Sequence, residues 1–213
     1  MNYYLSSYKF GSKVDALTEM IPANNKLGHI NNTRDWVGSD PARAQKHQLE
    51  EIAALNKLGF DSESLDLREY FGKKNVLREK IESLGAIWVS GGNTFVLRQA
   101  MRLSGFDELM PEIRKRDEFL YGGYSAGVCV LSKDLTAIDQ VDDPHNFPYE
   151  GIQKAIYEGL NVFEYVILPH YDSAHPESKM VEKEIQRCID NQWLFIALRD
   201  GDVIVTNDQK LRM

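Results

Sequence analysis

The segment Tyr121-Gly-Gly-Tyr-Ser-Ala-Gly-Val-Cys-Val130 constrains this chain more than any other. It reads as a buried strand running into a sharp turn and then a helix, and Gly123-Tyr124-Ser125-Ala126-Gly127 fits the pattern G-x-S-x-G. The pattern has a steric cause. A serine at the tip of such a turn is held in a strained backbone conformation, so the residues two before and two after it must be too small to clash. Its hydroxyl then projects clear of the sheet, the Ala126 amide faces any oxyanion that forms, and the start of the helix favours negative charge there. With 15 Gly and 13 Ser among 213 residues, chance supplies about 0.06 such matches, so a bland Gly-Ser turn is the weaker reading. The flanks agree: residues 119–121 suit a central strand, and residues 128–131 can bury one side of a helix.

Strands and helices alternate along the rest of the chain. Residues 3–7 and 26–31 read as strands, with a short helix over 14–20 between them. Asp40 as N-cap, Pro41 in the first turn and Gly59 at the end delimit a helix over 41–58. Residues 60–67 contain a strand, 75–84 a helix closed by Gly85, and 86–90 a compact apolar strand. Helices over 94–103 and 106–116 then lead to the elbow strand, and an irregular stretch rich in Asp, Pro and aromatic residues occupies 133–160. Residues 162–168 read as a strand and 177–191 as a helix. The segments 194–198 and 203–206 are expected to close a hairpin around Asp200-Gly201-Asp202. No repeat or low-complexity linker interrupts this order, which implies one α/β unit over 1–213 with a mostly parallel sheet. Such sheets bind ligands beyond the carboxyl ends of their strands. Four of those ends carry candidate chemistry: residues 90–93, Ser125, His170 and Asp200.

Charge and composition narrow the possible partners. A net charge of -7 works against nucleic acid or anionic membrane as the main partner. No apolar run reaches the length of a membrane span, and Asp15 and Glu19 interrupt any leader-like segment in residues 1–20. The two cysteines, Cys129 and Cys188, make neither a disulfide scaffold nor a zinc site. The expectation is a cytoplasmic protein, monomeric or homodimeric, that needs no cofactor.

A serine hydroxyl near neutral pH needs a base within hydrogen-bond reach. Of five histidines, His29, His47 and His145 lie on an early strand, a polar helix and an acidic loop. His170 directly follows the apolar run Val166-Ile-Leu-Pro169, where a side chain is delivered to the carboxyl edge of a sheet, and His175 is the reserve. The base in turn needs an acid to fix its tautomer. Asp200 would give the order Ser, His, Asp; Asp143 would give Ser, Asp, His, the order of ordinary α/β-hydrolases. Each also has a bland reading, Asp200 as a turn residue and Asp143 as part of a solvated loop. Gly91-Gly92-Asn93-Thr94 suits a second oxyanion donor and equally suits a capped helix start. A metal site built on His170, Asp172 and His175 lacks helical histidine spacing and any cysteine pair, so no metal is expected.

Taken together, Ser90-Gly-Gly-Asn-Thr-Phe-Val-Leu97, Tyr121-Gly-Gly-Tyr-Ser-Ala-Gly127 and Leu168-Pro-His-Tyr171 resemble the dipeptidase E family of serine peptidases, related to the cyanophycinases. The resemblance runs from the opening Leu-Ser-Ser strand to the late strand pair. It implies a three-layer α/β/α sandwich like that of class I glutamine amidotransferases. By it Ser125 matches the nucleophile, His170 the base, Gly92 and Ala126 the oxyanion hole, and Asn93 a substrate-binding position. The family's third residue is commonly glutamate; Asp200 stands in its place, one methylene shorter, and Asp143 matches an alternative acid. The activity implied is a serine exopeptidase acting on short peptides through an acyl-enzyme, with removal of N-terminal aspartate the habit of characterised members. An acid-selective pocket calls for Arg or Lys, whereas residues 171–181 hold Lys179 as their only cation beside Asp172 and Glu177. Two other readings stand beside it: an esterase or amidase of the α/β-hydrolase type, wired through Asp143, and a catalytically silent ligand-binding homologue.

Overall fold

Unbroken burial along the central strands decides the layering. In the computed structural model, which describes residues 1–208, eight strands form: β1 (Asn2–Ser6), β2 (Lys26–Ile30), β3 (Asp61–Ser64), β4 (Ala86–Val89), β5 (Leu120–Tyr124), β6 (Val166–Leu168), β7 (Phe195–Ala197) and β8 (Val203–Asn207). Residues 209–213, the end of the expected 1–213 unit, lie outside the described residues. Six strands make one sheet in the order β3-β2-β4-β5-β1-β8, parallel throughout except for β8, which runs antiparallel to β1 at the edge. Tyr3, Leu5, Ile87, Val89 and Tyr121 face one apolar cluster, while their strand neighbours Tyr4, Ala86, Trp88 and Leu120 face another. Period-two alternation with both faces apolar demands a cover on each side.

Helices supply the covers. Against the Tyr4 and Trp88 face pack α1 (Val14–Glu19) and α2 (Pro41–Leu58), through Leu17 and Leu55. Against the Tyr3 and Val89 face pack α3 (Lys74–Glu82), α4 (Thr94–Ser104) and α5 (Phe106–Ile113), through Leu77, Val96, Met101 and Leu109. This is the expected three-layer α/β/α sandwich with a mostly parallel central sheet. Helix α2 carries its expected signals: the Asp40 carboxylate accepts from the Ala42 and Arg43 N–H groups at 2.9 and 3.3 Å, and Gly59 ends the helix at φ 112°. The elbow helix α6 (Ala126–Cys129) is one short turn, and α7 (Ser178–Asp190) closes the third apolar cluster over Cys129 and Leu168.

Two expectations are corrected. The segments around Asp200-Gly201-Asp202 do not pair with each other: β7 lies parallel to β6 in a separate two-stranded sheet, while β8 joins β1. The turn itself is present, with the Asp202 N–H bonded to the Arg199 carbonyl at 2.9 Å, but it passes the chain from one sheet to another. The strand expected over 162–168 shortens to β6, because the Val162 and Phe163 amides turn to the Leu131 carbonyl at 2.9 and 3.1 Å instead. Among the described residues, no helix is long and apolar enough to cross a membrane.

Candidate active site

The elbow forms because β5 meets its neighbour at very close range. A Cβ on Gly123 would lie 2.8 Å from the Val89 carbonyl oxygen, and one on Gly127 would lie 2.4 Å from the same atom. Only glycine fits at either place. Between them Ser125 takes φ 49° and ψ -117°, a strained conformation for a residue with a side chain and one that recurs where chemistry is done. Its Oγ is thereby turned toward the irregular loop that follows β6.

There it meets an imidazole. His170 Nε2 lies 3.1 Å from Ser125 Oγ, and His170 Nδ1 lies 2.7 Å from Asp200 Oδ1. The carboxylate fixes the tautomer: Nδ1–H donates to Asp200, which leaves the Nε2 lone pair free to accept the serine proton. His170 is only 1 % exposed, and its own backbone is left-handed at φ 65°. Its pKa lies below the ordinary histidine value because burial disfavours the imidazolium and His175 adds a like charge, against the pull of Asp200. His175 stacks on it at 3.7 Å between ring centroids, nearly parallel at 11°, while Tyr8 meets it edge-on at 5.9 Å. The ring is clamped on two sides.

Ser7, just past β1, completes the support and was not singled out from the sequence. Its Oγ accepts from the His170 backbone N–H at 2.9 Å and lies 3.0 Å from Asp200 Oδ1. Ser173 Oγ accepts from the Asp200 N–H at 2.8 Å. The only mark of Ser7 in the sequence is its place in the opening Leu-Ser-Ser at the carboxyl end of the first strand. Asp143, the alternative acid, is employed elsewhere: its carboxylate accepts from the His145 N–H at 2.9 Å, and its carbonyl accepts from Asn93 at 3.0 Å. Two of the other histidines are paired elsewhere. His29 is buried against Glu51 at 2.9 Å, and His47 bonds Arg34 at 3.1 Å.

The glycine turn after β4 abuts the elbow, since a Cβ on Gly91 would lie 3.1 Å from that of Ser125. Gly92, at φ 153°, lies so close to the preceding loop that a Cβ would sit 2.5 Å from the Thr33 carbonyl. Asn93 caps α4 by accepting from the Val96 N–H at 2.9 Å, and it also borders the cavity beside Ser125. Both readings of that turn therefore hold in one residue. The cavity has a volume of about 300 Å³ and is bordered by Arg34, Trp36, Tyr124 and Glu177 as well as by the residues already named. Asp142 lines it too, its Oδ2 accepting from the Thr94 N–H at 2.8 Å. Burial pushes Asp142 up to about 7, against that hydrogen bond, and the Glu177 charge adds to the shift.

Among the described residues, the donor atoms that could hold a metal belong to His170, His175 and Glu177, all within 4.8 Å of one another. Asp172 is not among them, because its carboxylate pairs with Arg199 at 3.0 Å. Both ring nitrogens of His170 already face Asp200 and Ser125, so the set offers a cation one fewer free ligand than its count implies.

The profile of peptidase family S51 matches residues 42–213. An uncharacterised peptidase of Listeria innocua is 32% identical over 137 residues, covering 61% of this chain and 58% of that protein. Peptidase E of Escherichia coli is 31% identical over 109 residues, covering 50% of this chain and 43% of its own length. This chain thus spans about three fifths or less of these curated relatives. A Listeria monocytogenes protein designated a candidate peptidase E superposes with a TM-score of 0.68 over 97% of this chain and 98% of its own, at 24% identity. A peptidase from an acI-B1 actinobacterium gives 0.64 over 97% and 83%, at 16% identity. These two share the fold.

Proposed function

This chain belongs to peptidase family S51, and from that membership we propose that it is a serine exopeptidase hydrolysing short peptides through an acyl-enzyme. The observation that carries the reading is the unbroken line from Ser125 through His170 to Asp200, at 3.1 and 2.7 Å. Neutral His170 takes the Ser125 proton as Oγ attacks the scissile carbonyl carbon. The Gly92 and Ala126 amides receive the oxyanion, and Asp200 stabilises the imidazolium that forms. His170 then protonates the departing amine, and a water activated by the same nitrogen releases the acyl group. Asn93 borders the bound peptide. The wiring of an ordinary α/β-hydrolase is the poorer reading, because the Asp143 carboxylate is turned to its own loop.

The test is a mass-spectrometric screen of a dipeptide library with the wild type and Ser125→Ala side by side. Cleavage by the wild type at free N-termini, with no cleavage by the variant, is expected. Equal behaviour of the two proteins on every peptide and ester contradicts the reading.

A further inference from the structure

The cavity beside Ser125 has walls of opposite charge. Arg34 ends a short 3-10 turn, Asn32–Arg34, that follows β2, and among the described residues it is the one that borders both the Ser125 cavity and a larger neighbouring cavity of about 460 Å³. Its Nη2 bonds only His47, at 3.1 Å, and its buried Nε has no hydrogen-bond partner among the described residues. Among the described residues no carboxylate pairs with it directly; Glu51 stands one step away, 3.7 Å from the His47 nitrogen that Arg34 bonds, and already faces His29 and Ser90. The nearest acids in its own segment are taken: Asp35 accepts from Asn32 and Tyr149 at 2.8 and 2.6 Å and pairs with Arg68, and Asp66 pairs with Arg68 at 2.6 Å. A guanidinium with no carboxylate of its own, in a chain of net charge -7, suits an anionic group of a substrate. Its position is fixed by the oxyanion turn, because the Thr33 carbonyl accepts from the Asn93 N–H at 2.8 Å and Thr33 Oγ1 donates to the Gly91 carbonyl at 2.9 Å.

The other wall is acidic. Asp142 and Glu177 border the same cavity, and both also border a small recess behind Ser125, about 10 Å³, whose other lining includes Ile138, Leu168 and Val181. A carboxylate side chain placed there would meet two acids and an apolar floor, whereas an α-ammonium would meet two carboxyl groups whose ionised forms its own charge favours. A cavity of about 300 Å³ is at the lower limit for small ligands, and two extended residues span about 7 Å.

Resting on the peptidase reading above, we propose that the substrates are free dipeptides with a small uncharged N-terminal residue, and that Arg34 selects them by binding the terminal α-carboxylate. The ammonium sits between Asp142 and Glu177. Arg34 thereby makes the site a dipeptidase site, because a longer peptide presents an uncharged amide where the carboxylate belongs. An N-terminal aspartate is disfavoured by the acidic wall.

The test measures calorimetric binding of alanyl-alanine, its C-terminal amide and aspartyl-alanine amide to Ser125→Ala, with and without Arg34→Met or Arg34→Lys, alongside turnover of the same peptides by the wild type. Alanyl-alanine is expected to bind about 10- to 100-fold more tightly than its amide. Arg34→Met should bring the two within about threefold, with Arg34→Lys between, since lysine keeps the charge without the fork. Equal binding of acid and amide, no binding of the acid to folded Ser125→Ala, or an unchanged ratio in a folded Arg34→Met protein overturns the assignment. So does aspartyl-alanine amide binding as tightly as alanyl-alanine, which would place a side-chain carboxylate on Arg34. Binding that depends on Arg34 without turnover by the wild type would sink the peptidase reading and leave the carboxylate site standing. Turnover of acid and amide alike would do the reverse.

Discussion

His170 has to be neutral to accept a proton, and burial together with the stacked His175 favours the neutral ring. Asp200 pulls the other way, and a Glu177 carboxylate oxygen lies within 4.8 Å of a ring nitrogen of His170. Because the folded pKa is depressed below 6.5, reactivity is lost only as pH falls through a value under that figure and is flat above it. The rate of Ser125 modification by an uncharged phosphonate, followed against pH, should show its midpoint below 6.5; a midpoint at or above 6.5 contradicts the placement of His170. By the same sign, the fold loses stability on acidification as unfolded chains take up the proton first. Asp200→Asn should lower kcat by about 10²–10⁴, since the amide can hold the ring in the wrong tautomer. Asp143→Asn should leave kcat/KM within about threefold, as expected of an exposed loop residue. A reversal of those two effects would reinstate the hydrolase-type wiring.

At the scale of elements, the elbow depends on two glycines lodged under one carbonyl. Gly127→Ala would set a Cβ 2.4 Å from the Val89 oxygen, a backbone atom that cannot swing aside. The expected cost is about 1–3 kcal/mol or more, read from urea denaturation; a change under about 0.5 kcal/mol would show that β4 and β5 are not so tightly apposed. This element was legible because its cause is local: glycine spacing, an apolar strand and an apolar helix start all fall within ten consecutive residues. Helix α2 was legible for the same reason, with Asp40, Pro41 and Gly59 each acting on its own turn. The pairing of β7 and β8 was not. Asp200-Gly201-Asp202 makes the same turn whether its flanks pair with each other or part company, and the partners actually chosen, β6 and β1, lie far away in sequence. Arg34 and Ser7 were missed for a related reason. Residues 171–181, just after His170, hold Lys179 as their only cation, whereas the fold brings an arginine in from the loop after β2, and a serine after a first strand carries no signal until its neighbours are known.

Across the whole molecule, the irregular segment between the elbow helix and β6 forms part of the cavity wall, and α4 holds it in place. Arg98, only 2 % exposed, bonds the Glu158 carbonyl at 2.7 Å and the Asp107 carboxylate at 2.8 Å, while Gln99 bonds the Asn146 carbonyl at 2.8 Å. Asp107→Asn would leave that guanidinium buried without its counter-charge, so a loss of about 3–5 kcal/mol in unfolding free energy is expected. A loss under about 1 kcal/mol would mean that the pair is solvated in practice. Such anchoring matters because the three residues of the proposed relay come from the ends of β5, β6 and β7, which lie in two different sheets and meet only if the layers keep their registry. Intact-mass analysis after treatment with a fluorophosphonate tests that meeting most directly. One adduct per chain, mapped to Ser125, absent from Ser125→Ala and strongly slowed in His170→Ala, is the outcome expected. A folded wild-type protein that takes no label, or takes it at another residue, contradicts the account.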